Sequence, residues 1–304
     1  MTDVITVDGH DIEITNKDKV LFPQDGITKG DLIEYYQGVS RVMLPYMKGR
    51  PVTMHRFPDG IDEEGFYQQE VGEYFPDWIK RLTLPKEGGQ VTHLICDNTA
   101  TIIYMANLAC ITPHVWLSRE DKIDYPDMLI FDLDPAGDDF LPVRQAALYL
   151  RKLLDELDLK PFVKTTGSRG LHIVIPLDRS TTFDEVRAFA QDAADILASR
   201  YPEEITNEQR KDRRGNRVFI DTLRNSYGQT AVAPYAVRAK AGAPIATPLD
   251  WDELTGKKIN SQSYNMKNIF RRLSKKTDPW KSMWHEASNL TGAIAKLDKL
   301  KKNW

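Results

Sequence analysis

The sequence predicts an α+β protein centred on a split βαβ unit, and two observations carry that prediction. Between residues 126 and 221, apolar runs of strand length alternate with two longer stretches whose apolar residues recur at helical spacing. Their order is strand, helix, strand, strand, helix, strand, the arrangement of ferredoxin-like and RNA-recognition-motif-like folds. Such a core hosts many unrelated functions, so it narrows architecture and leaves function open.

Each element has its own signal. Met128–Asp134 (Met-Leu-Ile-Phe-Asp-Leu-Asp) reads as a strand, ended by Pro135, Ala136 and Gly137. Phe140, Val143, Ala147, Leu150, Leu154 and Leu157 then keep helical spacing. Residues 161–166 and 171–175 read as two strands joined by the turn at 167–170. Phe183, Val186, Phe189, Ala193, Ile196 and Leu197 mark a second helix, and Val218–Asp221 a fourth strand. Residues 1–125 read as mixed short strands with helices near 29–47 and 99–110, and a further helix is expected near 285–302. The expected organisation is one domain over 1–304. An N-terminal α/β portion (1–125) packs on the catalytic core (126–240), and 241–304 forms a C-terminal extension.

Composition limits the function classes. Lys plus Arg number 41 against 44 Asp plus Glu, a net charge of −3 that does not by itself advertise a nucleic-acid binder. The two cysteines, Cys96 and Cys110, are too few for a disulfide framework or a zinc cluster. No run approaches the roughly 18 apolar residues of a membrane helix, and the N-terminus is polar, so the expected setting is cytoplasmic with no membrane partner. Charge is uneven, however: residues 210–217 carry Arg210, Lys211, Arg213, Arg214 and Arg217, and Lys296, Lys299, Lys301 and Lys302 crowd the far end. Solvated surface explains such runs as readily as nucleic acid does.

The chemistry-bearing pattern is acidic. Asp132 and Asp134 are two apart on a predicted strand, so both leave the same face. Like charges there are costly unless a cation shares them, and hard divalent ions such as magnesium or manganese suit carboxylate oxygen. Asp221 ends another predicted strand, and the first and last strands of a split βαβ unit can bring all three acids together. Three acids around metal ions suit phosphoryl transfer. In the turn between the middle strands, Gly167, Ser168, Arg169, Gly170 and His172 offer a close backbone approach, a hydroxyl, a guanidinium and an imidazole, the makings of a triphosphate cradle. Arg238, after Pro234 and Tyr235, is a further candidate phosphate contact.

These motifs resemble a known family. Asp132-Leu-Asp134-Pro135, Gly167-Ser-Arg-Gly-Leu-His172 and Asp221 look like the three signature motifs of archaeo-eukaryotic primases. Residues 15–23 (Thr-Asn-Lys-Asp-Lys-Val-Leu-Phe-Pro), 28–32 (Thr-Lys-Gly-Asp-Leu), Tyr35-Tyr36, Gly49-Arg-Pro51 and 233–238 (Ala-Pro-Tyr-Ala-Val-Arg) resemble, more narrowly, the polymerase domain of ligase D. The resemblance runs nearly the whole chain, in order.

It implies an archaeo-eukaryotic primase core and a template-dependent nucleotidyltransferase. Such an enzyme fills gaps and extends 3′ ends during non-homologous or microhomology-mediated joining of DNA double-strand breaks, often preferring ribonucleotides and manganese. By position, Asp132, Asp134 and Asp221 are expected to hold two Mn2+ (or Mg2+) ions. Ser168, Arg169, His172, Arg238 and His114 are expected to grip the nucleoside triphosphate. Lys19 and Lys29, with Asn16, match residues that bind a 5′-phosphate across a gap. Thr28 and Asp31 suggest a capping box that starts a helix at Lys29 and adds its N-terminus to that pocket. Phe66 and Tyr67 match an aromatic pair that stacks on template bases. Lys211, Arg213 and Arg214 lie in a loop that contacts DNA and aligns broken ends, here expected to be flexible. The chain lacks the ligase and nuclease regions of the best-known members, so a separate DNA ligase, with Ku, is the expected partner. The competing classes are a metal-dependent nuclease or phosphodiesterase, which would shorten DNA, and a non-catalytic nucleic-acid-binding module, which leaves the three acids unexplained.

Overall fold

In the computed structural model, residues 3–256 and 259–302 are described. They form two compact units. The first comprises Met1–Asp121, Thr230–Ala246 and Tyr264–Arg271, and the second Lys122–Gln229, Thr247–Ser263 and Arg272–Trp304. Residues 230–240, expected with the 126–240 core, group with the first unit because Thr230–Val232 adds as an antiparallel strand to Cys110–Trp116.

The first unit is an antiparallel sheet in the order Thr230–Val232, Cys110–Trp116, Arg50–Arg56, Gly89–Cys96, Arg81–Lys86, with Phe66–Gln68 paired to Arg50–Arg56. The helices Lys29–Met47 and Thr99–Asn107 pack on each other. The first begins where its sequence stops it fraying. The Thr28 hydroxyl accepts from Asp31 N, and the Asp31 carboxylate accepts from Thr28 N in return. Leu32, Tyr36, Val39 and Met43 then repeat at three and four residues and are buried. Arg50 is fully buried yet paired, donating to the Tyr46 and Trp116 carbonyls.

The second unit is a six-stranded sheet in the order Ile205–Thr206, Val218–Asp221, Met128–Asp134, Leu171–Pro176, Phe162–Thr165, Pro248–Leu249. All neighbours are antiparallel except the parallel pair Ile205–Thr206 and Val218–Asp221. Helices Leu141–Glu156 and Phe183–Arg200 pack side by side on it. The second carries a complete capping box, Thr182 with Glu185. The helix expected near 285–302 is Leu290–Lys302. Asn289 accepts from Thr291 N just before it, which fixes the start. No helix among the described residues is long and apolar enough to cross a membrane.

Candidate active site

In the second unit, cross-strand register draws the polar residues into a row. Asp221 pairs with Asp132, Asp132 with His172, and His172 with Lys164, one residue from each of four adjacent strands. Asp134 shares the face of Asp132, two residues on. Asp132 is 6% exposed; its Oδ1 lies 3.3 Å from His172 Nε2 and its Oδ2 lies 3.5 Å from Arg224 Nε. Burial pushes its pKa up, but His172, Arg224 and Lys164 outweigh burial and hold it at about 2. Burial and then the Asp132 charge raise Asp134 to about 6. Asp221 is oriented by accepting from Leu223 N at 2.8 Å.

Among the described residues, no group of three His, Cys, Asp or Glu side chains is placed to hold a metal ion. The carboxylates fit a divalent cation through their charge. Asp134 is raised first by burial and then by the Asp132 charge beside it, and a hard cation between the two acids would offset that repulsion.

The turn before His172 is tightly built. Gly167 has φ of +66°, which favours glycine. Gly170 is glycine for another reason: a Cβ there would lie 2.0 Å from the Leu133 carbonyl oxygen, on the carboxylate strand. Ser261 Oγ donates to Gly170 O, and Gln262 Nε2 donates to Ser168 O. Arg169 stands between two cavities of about 290 and 260 Å3. The larger is lined by Phe140, Ser168, Asn260 and Gln262, the smaller by Asp134, Lys211, Arg214 and Arg217.

The basic loop at 210–217 carries hydrogen bonds of its own. Lys211–Arg213 is a 3-10 turn. Arg214 donates to the Glu208 and Gln209 carbonyls and lies 3.5 Å over the Phe219 ring. Arg217 donates to the Arg213 and Arg214 carbonyls, and Arg210 pairs with Asp212. Three of the five cations therefore bond within the loop, while Arg213 is exposed and Lys211, also exposed, lines the smaller cavity. The Lys-rich end is similarly occupied, with Lys301 paired to Asp192 and Lys296 to Asp158.

In the first unit, Lys29 is 5% exposed and donates to Thr15 Oγ1 and Asn107 O. Burial, then the charges of Lys19 and Arg56, lower its pKa to about 8. Asn16 has φ of +48°, and its carbonyl accepts from Lys19 N; the Lys19 ammonium meets Asp59 at 2.6 Å. One expectation fails here. The first amides of the Lys29–Met47 helix are not open to a phosphate, because Lys29 N and Gly30 N donate to Lys19 O and Lys17 O, and Asp31 N to Thr28. What gathers here is positive charge, since Lys19 and Arg56 stand near enough to Lys29 for their charges to lower its pKa. Phe66 and Tyr67 are 45% and 60% exposed. Arg56 lies over Phe66 at 5.3 Å, and Tyr67 stacks on His55 at 4.1 Å and meets His114 in a T-shaped contact at 5.7 Å. His114 pairs in register with Thr53 and Val232, and Arg238 follows on the segment leaving Val232.

Lys164, Arg224, Arg56 and His55 were not singled out from sequence. A lysine inside an apolar strand and an arginine three residues after Asp221 were the available signals.

Residues 28–280 match the model of the LigD primase-polymerase domain. The chain belongs to that family. It is 33% identical over 276 residues to the multifunctional non-homologous end joining DNA repair protein LigD of Mycobacterium tuberculosis, covering 88% of this chain and 36% of that protein. It is 30% identical over 271 residues to the bifunctional LigD of Bacillus subtilis, covering 88% and 43%. The chain thus spans well under half the length of these LigD relatives. Among solved structures it resembles the polymerase domain of M. tuberculosis ligase D in complex with DNA, with a TM-score of 0.86, 31% identity, and coverage of 91% of this chain and 99% of that one.

Proposed function

We propose that this chain is a template-dependent nucleotidyltransferase that extends 3′ ends and fills gaps at DNA double-strand breaks. The observation that carries the proposal is the juxtaposition of Asp132 and Asp221 in register, with Asp134 beside them. Family membership supports the activity, since the solved relative is a polymerase domain bound to DNA. The strand order of the second unit, with the last strand beside the first and the third beside the first, favours a split βαβ core of the primase type. We read 1–304 as one functional polymerase domain.

Divalent manganese or magnesium, when bound by Asp132, Asp134 and Asp221, supplies charge neutralisation and a more acidic 3′-hydroxyl. The chain's own residues do the rest. Ser168 and Arg169 hold the triphosphate against the Gly167–Gly170 turn, and His172, held neutral by burial and Lys164, offers an uncharged donor beside Asp132. Arg238 and His114 supply further nucleotide contacts. Lys19 and Lys29 take a downstream 5′-phosphate, Phe66 and Tyr67 stack on template bases, and Lys211 with Arg213 meets the phosphate backbone. A ribonucleotide preference, cytoplasmic action beside Ku, and sealing by a DNA ligase complete the proposal.

The test is extension of a labelled primer on a gapped duplex, with and without a downstream 5′-phosphate, with manganese and ribo- or deoxyribonucleoside triphosphates. Growth by wild type, absent in Asp132→Ala/Asp134→Ala, supports the polymerase. Shortening without added triphosphate would favour a nuclease instead.

A further inference from the structure

The segment at 233–238, which carries Arg238, is held in a way that packing alone does not require. Ala233, Tyr235, Ala236 and Val237 are fully buried, and Tyr235 has φ of +66°, a region that disfavours a bulky side chain. Such strain persists where neighbours over-determine the backbone. Here they are backbone bonds, from Tyr235 N to Ala246 O and from Ala246 N to Ala236 O, together with three hydroxyls. Tyr35 Oη donates to Tyr235 O at 2.6 Å, and Thr112 Oγ1 donates to Val237 O at 2.6 Å. Tyr36 Oη accepts from Val237 N at 3.1 Å and donates to Ile111 O at 2.6 Å. One hydroxyl thereby ties the Arg238 segment to the strand that carries His114.

Tyr35 and Tyr36 are adjacent on the Lys29–Met47 helix, with their rings edge to face at 5.2 Å. Burial raises both phenols well above their ordinary range, so each keeps its proton to donate. Thr112 stands two residues from His114 and so shares its face of the strand. Next to Val237, Arg238 N donates to Pro244 O, which fixes the point from which its side chain departs.

We infer that Tyr36, with Tyr35 and Thr112, is a positioning residue for nucleotide binding, locking the segment from which Arg238 projects to the His114 strand. The inference rests on the proposed role of Arg238 as a nucleotide contact. Tyr36→Phe keeps the ring and removes only the bridging hydroxyl, and Thr112→Val removes the donor to Val237.

The experiment is steady-state extension kinetics well below the melting temperature, as a double-mutant cycle between Tyr36→Phe and Arg238→Ala. Tyr36→Phe is expected to raise KM for the nucleoside triphosphate about five- to twentyfold with kcat changed about twofold or less. In the Arg238→Ala background it should add almost nothing. Thr112→Val should behave like Tyr36→Phe, while Thr112→Ser, which keeps the hydroxyl, should restore wild-type KM. A lower melting temperature with unchanged KM in Tyr36→Phe, while Arg238→Ala raises KM, would overturn the inference and leave the nucleotide role of Arg238 standing. A full further increase on top of Arg238→Ala would overturn it equally. Unchanged KM in Arg238→Ala itself would remove the role of Arg238, and the positioning inference with it.

Discussion

At the scale of single residues, the site is set by which groups share low-dielectric space. Asp132 is surrounded by His172, Arg224 and Lys164, whereas Asp134 stands beside another acid. Asp132→Ala should lower primer extension by about 10^3-fold or more without unfolding the chain, checked by rate and melting temperature. Gly170→Ala would set a methyl against the Leu133 carbonyl and should cost about 3 kcal/mol in denaturant unfolding. Lys29 has a consequence in pH. With its folded pKa at about 8 and a reference of 10.5, the unfolded chain holds more protons between those values, so stability should rise with pH across that window. Phosphate binding should run the other way. Stimulation of extension by a downstream 5′-phosphate, at low DNA concentration, should fall as pH passes about 8, and Lys29→Arg should keep it at pH 9. The acids were legible in sequence because an alternation of two carboxylates in an apolar strand has few stable uses. Arg224 and Lys164 were not, because cross-strand neighbours are distant in the chain.

At the scale of elements, side chains finish what backbone patterns begin. The Thr182–Glu185 box caps the Phe183–Arg200 helix, and Thr182→Ala should cost about 1 kcal/mol in stability. Asn225 is fully buried and accepts from Ile130 N while donating to Ile130 O and Thr222 O, extending the pairing along the carboxylate strand by one residue's worth of bonds. Helices were expected near 29–47, where Thr28 and Asp31 marked a capping box, and near 99–110. The second stops earlier, at Asn107, because Ala109 takes φ of +57° and Cys110 opens the next strand. The basic loop was legible only as charge. Which arginines turn inward depends on carbonyls at Glu208, Gln209, Arg213 and Arg214 and on the Phe219 ring.

At the scale of the whole molecule, a net charge of −3 coexists with localised cations. DNA binding should therefore weaken steeply with salt even though the protein is slightly acidic. Lys211→Ala and Arg213→Ala should each reduce the slope of log affinity against log salt by about one. Lys301→Ala, whose partner is Asp192, should leave the slope unchanged.

The sequence by itself determined the order of the elements in the second unit, the three acids, the glycine turn and the family, because these depend on local periodicity and short motifs. Only the tertiary structure decided that Asp221 faces Asp132, that residues 230–240 belong with the first unit, and that the Lys29 helix offers a lysine rather than open amides. It also decided that the 233–238 segment hangs on Tyr35, Tyr36 and Thr112. The physical reason is common to all four. Strand register and the choice of partner for each buried backbone group are settled between residues far apart in the chain, and one sequence read alone carries no record of those pairings.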